Sequence, residues 1–343
     1  MAADVQRLAL RRGRVRSVER TGAAAEVTVE VGEETRAAVS YELMTGPVEA
    51  GDEIVVNVAA LDLGLGSGGF DIVHVNLTRG LEGSGVPDAH VMKVNYSSLQ
   101  HAVEPLEERA PALERPLAGP VGVLALHGQL ACVAWSASQR APAARIGYVQ
   151  TQGGALPGMF SRVVGDLLDR GLLAGHVTAG AAFGGEHEAI TVAGAIHAGL
   201  TLLGWDAAIA GPGPGIIGSA SALGHGGLAA LDSLHAAAAL GASTVVVPRM
   251  SEGDPRERHR GLSHHTRTVL DLCLAEVTVA LPEGEDPALA APHAVSQAPA
   301  NLEGYLESGL PASTMGRDVT DDSLFFRAAL AGGAVLGEGL DGV

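Results

Sequence analysis

The hydrophobic rhythm of the chain changes once, and that change limits what it can fold into. Between Arg11 and Thr78, apolar and polar residues alternate in five short stretches: "RVRSVER", "AAEVTVEV", "TRAAVSYE", "DEIVVNV" and "FDIVHVNL". Turn segments such as "GEE", "GPVEAGD" and "GLGSGG" separate them, and no amphipathic helix intervenes. Period-two runs bounded by turns are strands with one buried face, so residues 1–85 are predicted to form a small antiparallel barrel-like or sandwich domain. From Val121 the apolar stretches become nearly continuous, as in "VGVLAL", "RIGYVQT", "WDAAIAG", "STVVVPR" and "AEVTVAL", and helical segments lie between several of them. In "GMFSRVVGDLLDRGLL", Phe160, Val163, Val164, Leu167 and Leu168 make one stripe, with Arg162, Asp166, Asp169 and Arg170 mostly opposite. Strands buried on both faces and alternating with helices predict a Rossmann-like α/β domain over residues 121–285. Its sheet is mainly parallel, with helices on both faces. A strand near Val91 and a Pro- and Glu-rich connection from Glu104 to Pro120 fill residues 86–120. Residues 286–343 are expected to be irregular before short C-terminal helices that pack on the α/β domain.

Composition removes several function classes. A net charge of −17 leaves no basic surface for general nucleic-acid binding, which draws on counterion release. All but one of the 22 basic residues are Arg, and the exception, Lys93, reads as a strand residue rather than a reactive amine. Arg7, Arg11, Arg12, Arg14 and Arg16 open the chain, alternating with Val15 and Val18 as an exposed strand face does. No apolar segment with a cleavage site follows them, so an export signal is not expected. Between Arg170 and Arg249 there is no Lys or Arg, but Gly and Pro interrupt the apolar run, which predicts buried strands and no membrane partner. Cys132 and Cys273 both sit in apolar runs and form neither a disulfide framework nor a metal knuckle, which fits a reducing cytoplasm. Tyr41 and Phe70 are too few to stack bases on the barrel.

Ligands of open parallel sheets bind beyond the carboxyl ends of the strands. That rule gathers four loops on one edge: "TQGGALPG" after Tyr148, "AGAAFGGEHE" after Val177, "AGPGPGIIGSASALGHGG" after Ile209 and "PRMSEGDPRERHRGLSHHT" after Val247. Gly211, Gly213, Gly215 and Gly218, with Ser219, form a loop that allows close ligand approach. It leads into a helix expected to begin near Ser221 or Leu223, whose N-terminus would attract an anion. Gly213, Gly215 and Gly218 spell GxGxxG, but no suitably placed acidic residue completes a dinucleotide fingerprint and no Lys completes a P-loop, so no cofactor is assigned. Close packing of helix on strand is the alternative use of these glycines.

The segment "DPRERHRGLSHHT" brings Arg256, Arg258, His259 and Arg260 together and offers Ser263 as N-cap of a helix carrying His264 and His265. Guanidinium forks suit phosphate and carboxylate, so a small anionic molecule is the expected partner, with His264 or His265 doing acid-base work. Glu186, placed at an expected helix start, is a cap in one reading and a general base or metal ligand in the other. Consecutive helical residues point about 100° apart, so His264 and His265 are not expected to share an ion; a metal would combine one of them with His225, His259 or Glu186. Ser219 and Ser221 lack the GxSxG context of a hydrolase nucleophile, and His127 in "LHGQ" reads as a turn residue.

The segments "DEIVVNVAALDLGLGSGGFDIVHVNL", "HVMKVNYSSLQ", "IGYVQTQGGALPGMFSRVV", "AFGGEHEA", "GPGPGIIGSASALGHGG" and "DPRERHRGLSHHT" resemble a family of bacterial proteins grouped as domain of unknown function 3866. The resemblance spans both proposed domains and implies a cytoplasmic grouping but no activity. Three functions stay open at this point. The first is small-anion binding with histidine acid-base chemistry; the second is a non-catalytic sensor or scaffold whose β domain recognises a partner; the third is a metal-dependent hydrolase. Self-association into a homo-oligomer is compatible with the C-terminal helices.

Overall fold

A computed structural model describes residues 7–21, 24–65 and 68–340; Gly66 and Ser67 of the "GLGSGG" connection lie outside the described residues. The chain divides into two compact units, Met1–Ala102 and Val103–Val343.

In the first unit the alternating stretches become strands β1 (Leu10–Thr21), β2 (Ala24–Val31) and β3 (Glu34–Ser40), a helical turn α1 (Glu42–Thr45), β4 (Glu53–Asn57), a second turn α2 (Ala59–Asp62) and β5 (Asp71–Asn76). They close into a barrel in the order β1-β2-β3-β5-β4. Its interior is the inward half of each alternation, including Val15, Val27, Val29, Ile54, Val56 and Val73. Closure depends on β1, which pairs with both β2 and β4. At Gly13 a Cβ would overlap Val29 and the Glu30 carbonyl, and the register of β1 with β2 shifts between Val15 and Ser17. The last seam, β3 to β5, is parallel, a departure from the otherwise antiparallel barrel. The arginines of β1 face outward; Arg12 pairs with Glu53 at 3.0 Å and Arg16 with Glu30. Strands β6 (Val91–Lys93), which carries the single lysine, and β7 (His101–Val103) follow.

The second unit runs β8 (Val121–Leu124), α3 (Leu130–Arg140), β9 (Ile146–Thr151), α4 (Arg162–Asp169), β10 (Gly175–Ala179), β11 (His187–Ala189), α5 (Val192–Thr201), β12 (Ala207–Pro212), α6 (Ala229–Ala239) and β13 (Thr244–Val247). It continues with β14 (Met250–Ser251), β15 (Gly261–Leu262), α7 (His264–Leu272), β16 (Thr278–Pro282), β17 (Ala294–Ala298), α8 (Leu302–Glu307), β18 (Ser313–Thr314), β19 (Arg317–Asp318) and α9 (Ser323–Glu338). Eight strands form one sheet in the order β11-β10-β9-β12-β8-β13-β16-β17, and every neighbouring pair is parallel. Val121, Val123, Val177 and Val246 pack on one face with Ile196, Leu234 and Val269 of α5, α6 and α7. Leu124, Ile146, Ile209 and Val247 pack on the other face with Val133, Leu167 and Phe326 of α3, α4 and α9. Layers on both sides explain why these strands read as continuous apolar runs rather than alternations. From β8 the chain steps outward through β9, β10 and β11, returns as β12 between β9 and β8, and then crosses to β13. That reversal places a crevice beyond the carboxyl ends of the central strands.

Two expectations are narrowed here. Residues 104–120 are largely exposed, as a connection would be, but they are anchored to this unit rather than free of it. Leu106 and Leu117 are buried in the core of this unit, and the Glu107 carboxylate accepts from the N–H groups of Ile190 and Thr191 ahead of α5. The Pro- and Ala-rich stretch after residue 285 is not wholly irregular, because Ala294–Ala298 forms the edge strand β17. Apart from Val295 its small and polar residues carry no β-propensity signal; parallel pairing with β16 supplies the order. Among the described residues no helix is long and apolar enough to cross a membrane.

Candidate functional site

Two of the four loops assigned to the sheet edge line a common cleft of about 370 Å³, bounded by Gly153, Gly154 and Leu156 after β9 and by Ile217, Gly224, His225 and Gly226 after β12. Their glycines let backbone meet backbone. Gly153, with φ +112°, has no room for a Cβ against the Gly226 carbonyl, and Gly154 abuts Gly213 in the same way. Gly211 lies inside β12 against Leu124, and Gly213 faces the Ala155 carbonyl and the Gln150 side chain. Of the four loop glycines singled out in the sequence, only Gly215 takes a positive φ, +69°. Gly218 bridges to His225, while the Ser219 hydroxyl donates to the Gly224 carbonyl at 2.9 Å. These contacts close a turn that presents His225. They also correct the expected helix start near Ser221 or Leu223: α6 begins at Ala229 after a single 3₁₀ turn, because Ser219 holds the preceding backbone in local hydrogen bonds that compete with a helix.

The loop after β13 carries the second half of the site. Ser263 caps α7, its Oγ accepting from the His265 N–H at 3.2 Å and lying 2.7 Å from His259 Nδ1. This cap seats His264 and His265 on the first helical turn beside His225. The rings of His225 and His265 stack with centroids 3.9 Å apart, and those of His264 and His265 lie 4.4 Å apart. Nitrogen atoms of His225, His264 and His265 fall within 4.8 Å of one another. Adjacent residues were not expected to share an ion, yet His264 and His265 bring ring nitrogens to one place. No earlier turn stands in front of residues at a helix start, and an imidazole reaches far enough past its Cβ for two of them to converge there. Both ring nitrogens of His225 and Nε2 of His264 are buried and lack a hydrogen-bond partner among the described residues. Burial and the charge of His264 lower the pKa of His225; the nearby Ala222 backbone offsets part of this without reaching hydrogen-bond geometry with either ring nitrogen. Burial also lowers the pKa of His264, helped by the charge of Arg258, and that of His265, helped by His225 and Arg249. Burial, then Arg249 and Arg256, pushes His259 down to about 3.

The arginines divide sharply. Arg256 grips Asp254 through Nε and Nη2, both at 2.9 Å, and Arg260 donates to the Asp254 carbonyl at 3.0 Å. Arg258 is exposed, and its charge reaches His264. Asp254 is fully buried and also receives the buried Arg249 at 3.1 Å and Arg317 at 3.4 Å. Although burial opposes its ionisation, hydrogen bonds and charge from Arg256 and Arg317 hold its carboxyl below the usual carboxylate range. Arg317 continues to Asp322 at 3.0 Å, and Asp322 accepts from Ser251 at 2.6 Å. Arg249, Arg317 and Asp322 were missed in the sequence. An arginine directly after the apolar run "VVVP" was the available signal for Arg249; the C-terminal pair gave none.

Glu186 is not brought to this edge. It precedes the short strand β11 rather than a helix, and its carboxylate accepts from the His176 N–H at 2.9 Å, beside the first half of β10. The helix that follows is capped by Thr191. His127, read as a turn residue, is buried in a second polar group. Its Nδ1 lies 3.2 Å from the Pro212 carbonyl, which can only accept, so Nδ1 holds the proton and Nε2 accepts from the Ser161 hydroxyl at 2.7 Å. Tyr148 donates to the same Pro212 carbonyl at 2.9 Å and stacks on His176.

A model of the family described as "Protein of unknown function (DUF3866)" matches residues 37–333. No curated protein matches the chain.

Proposed function

We propose a function from the site itself, since the chain belongs to the DUF3866 family, whose description assigns none. The reading is a protein that binds a small anionic molecule in the cleft at the carboxyl edge of the sheet and acts on it with imidazole groups. One observation carries it: His225 lines the cleft with both ring nitrogens unpartnered among the described residues, next to His264 with Nε2 unpartnered. Buried nitrogens of this kind are normally bonded, so their availability suits a ligand. Neutral imidazoles offer two chemistries, proton transfer and metal ligation. Of the two adjacent histidines, His264 is the better proton carrier, since Nδ1 of His265 is held by Arg249 at 3.3 Å. With Arg256 and Arg260 engaged by Asp254, recognition of negative charge falls to the exposed Arg258. The four-loop site of the sequence reading contracts to three loops, because Glu186 points elsewhere.

Thermal unfolding against phosphorylated metabolites and carboxylic acids tests the reading. A molecule that binds only the native state raises the midpoint in proportion to its saturation. The expected result is a shift in the wild type that shrinks in Arg258→Ala and disappears in His225→Ala. A shift unchanged in both variants would place the ligand elsewhere, and none with any compound would transfer the function to partner binding.

A further inference from the structure

We propose that His225, His264 and His265 hold a divalent transition-metal ion, zinc being the first candidate, at the margin of the cleft. The inference rests on the cleft reading for the position of the bound molecule and assigns the imidazoles to ligation rather than proton transfer. Each neutral imidazole supplies one lone pair, and a trio of histidines is a ligand set that zinc enzymes use. The donor atoms lie within 4.8 Å of one another. Zinc at its usual nitrogen distance needs them about 3.4 Å apart in a tetrahedral site, so the set has to close by up to about 1.4 Å on binding.

Ordinary packing does not account for the cluster. Three rings converge without bonding one another, and both nitrogens of His225 and Nε2 of His264 are buried without partners among the described residues. Ser263 and His259 hold the helix start that aims the rings, as outer groups do around a metal. Arg249 sets the one competing interaction. Its Nη1 donates to His265 Nδ1, which puts the imidazole proton on Nε2. Ligation through Nε2 moves that proton to Nδ1 and ends the hydrogen bond, so the ion and this contact exclude each other. Arg249 keeps its pairing with Asp254 in either case. Three protein ligands leave a coordination position for water, and a water bound there ionises near neutral pH. Because His225 lines the cleft, that position borders the proposed small-molecule site.

The full chain, stripped with a chelator and shown by circular dichroism to stay folded, is titrated first with Co2+ and then with Zn2+. One equivalent of Co2+ should bind with visible d–d bands of four-coordinate, nitrogen-bound cobalt, and Zn2+ should displace it. His225→Ala and His264→Ala should each weaken binding by at least the roughly 10–100-fold that loss of an outer-shell partner costs. His187→Ala, on the edge strand β11, should change nothing. If an alanine variant unfolds, His264→Asn takes its place with the same expectation. Absence of the d–d bands, or equal affinity in a His225→Ala/His264→Ala double variant, would overturn the site. The thermal screen repeated with inorganic phosphate separates the two readings. Metal binding without any ligand shift leaves the ion site standing and removes the cleft reading; a ligand shift that persists in protein unable to bind metal does the reverse.

Discussion

Two groups of histidines belong to the same α/β unit, and they differ in how their nitrogens are used. In the first, after β8, His127 donates to a backbone carbonyl and accepts from Ser161, and Tyr148 shares that carbonyl. Of its members only His176 Nε2 is left without a partner among the described residues. In the second, after β12 and β13, the unpartnered atoms are both nitrogens of His225 and Nε2 of His264. Apart from His176 Nε2, the first group has its polar atoms consumed by the fold. The second keeps them available while something else fixes the rings in place, and that is the Asp254 frame with the Ser263 cap.

If the frame is what holds the open group, breaking it should be the most damaging change in either region. Asp254→Ala leaves the buried Arg249 without its acidic partner, and losing one member of a buried pair costs about 3–5 kcal/mol. Urea unfolding measures it; a loss under about 1 kcal/mol would mean that Arg249 is neutralised from elsewhere and the frame is dispensable.

The closed group makes the next largest prediction, through acid. Burial pushes His127 down to about 4, partly offset by its bond to Pro212, and burial with the charge of His127 pushes His176 to about 3. The unfolded rings titrate near 6.5. Between those values the unfolded chain binds protons that the native state refuses, so the contribution is complete above about pH 6.5 and is lost as pH falls through 4. For His127 alone this is of order 3 kcal/mol. Unfolding free energies at pH 7 and pH 4.5 should differ less in His127→Asn than in the wild type. Parallel profiles would show that His127 is already solvated.

Much of this contrast was present in the sequence, but unevenly. The two rhythms, the βαβ alternation and the edge at which the loops gather all follow from periodicity, which burial imposes locally. The Ser263 cap and the histidines behind it were legible for the same reason, since capping acts within one turn. What was hidden depends on tertiary geometry. Arg256 and Arg260 looked like anion ligands because the sequence does not show that Asp254, two and six positions before them, is buried and takes both. The Arg317 and Asp322 half of the frame arrives from more than sixty positions downstream of Asp254. The glycines of "GPGPGIIG" suggested phosphate binding, but Gly213 is there because the Ala155 carbonyl occupies the space of a Cβ. The convergence of His264 and His265 needed the helix to start at that residue and His225 to arrive from another loop.

The smallest predicted effect separates the two groups most directly. Tyr148→Phe removes a buried hydroxyl whose proton is shared between the Gly211 and Pro212 carbonyls, leaving Pro212 with His127 alone, and should cost about 0.5–1.5 kcal/mol. His225→Ala removes two ring nitrogens that lack a partner among the described residues, and the desolvation penalty removed with them offsets the packing lost with the buried ring, so its cost in ligand-free protein should fall below that of Tyr148→Phe. The pair is best compared by urea unfolding in chelator, because a bound ion would add linkage stability to the wild type and exaggerate the effect of losing His225. Equal losses in the two variants would mean that His225 is as structural as Tyr148 and that both groups serve the fold. A His225→Ala that costs less than Tyr148→Phe means instead that stability does not explain the placement of His225, which leaves ligand contact as its role.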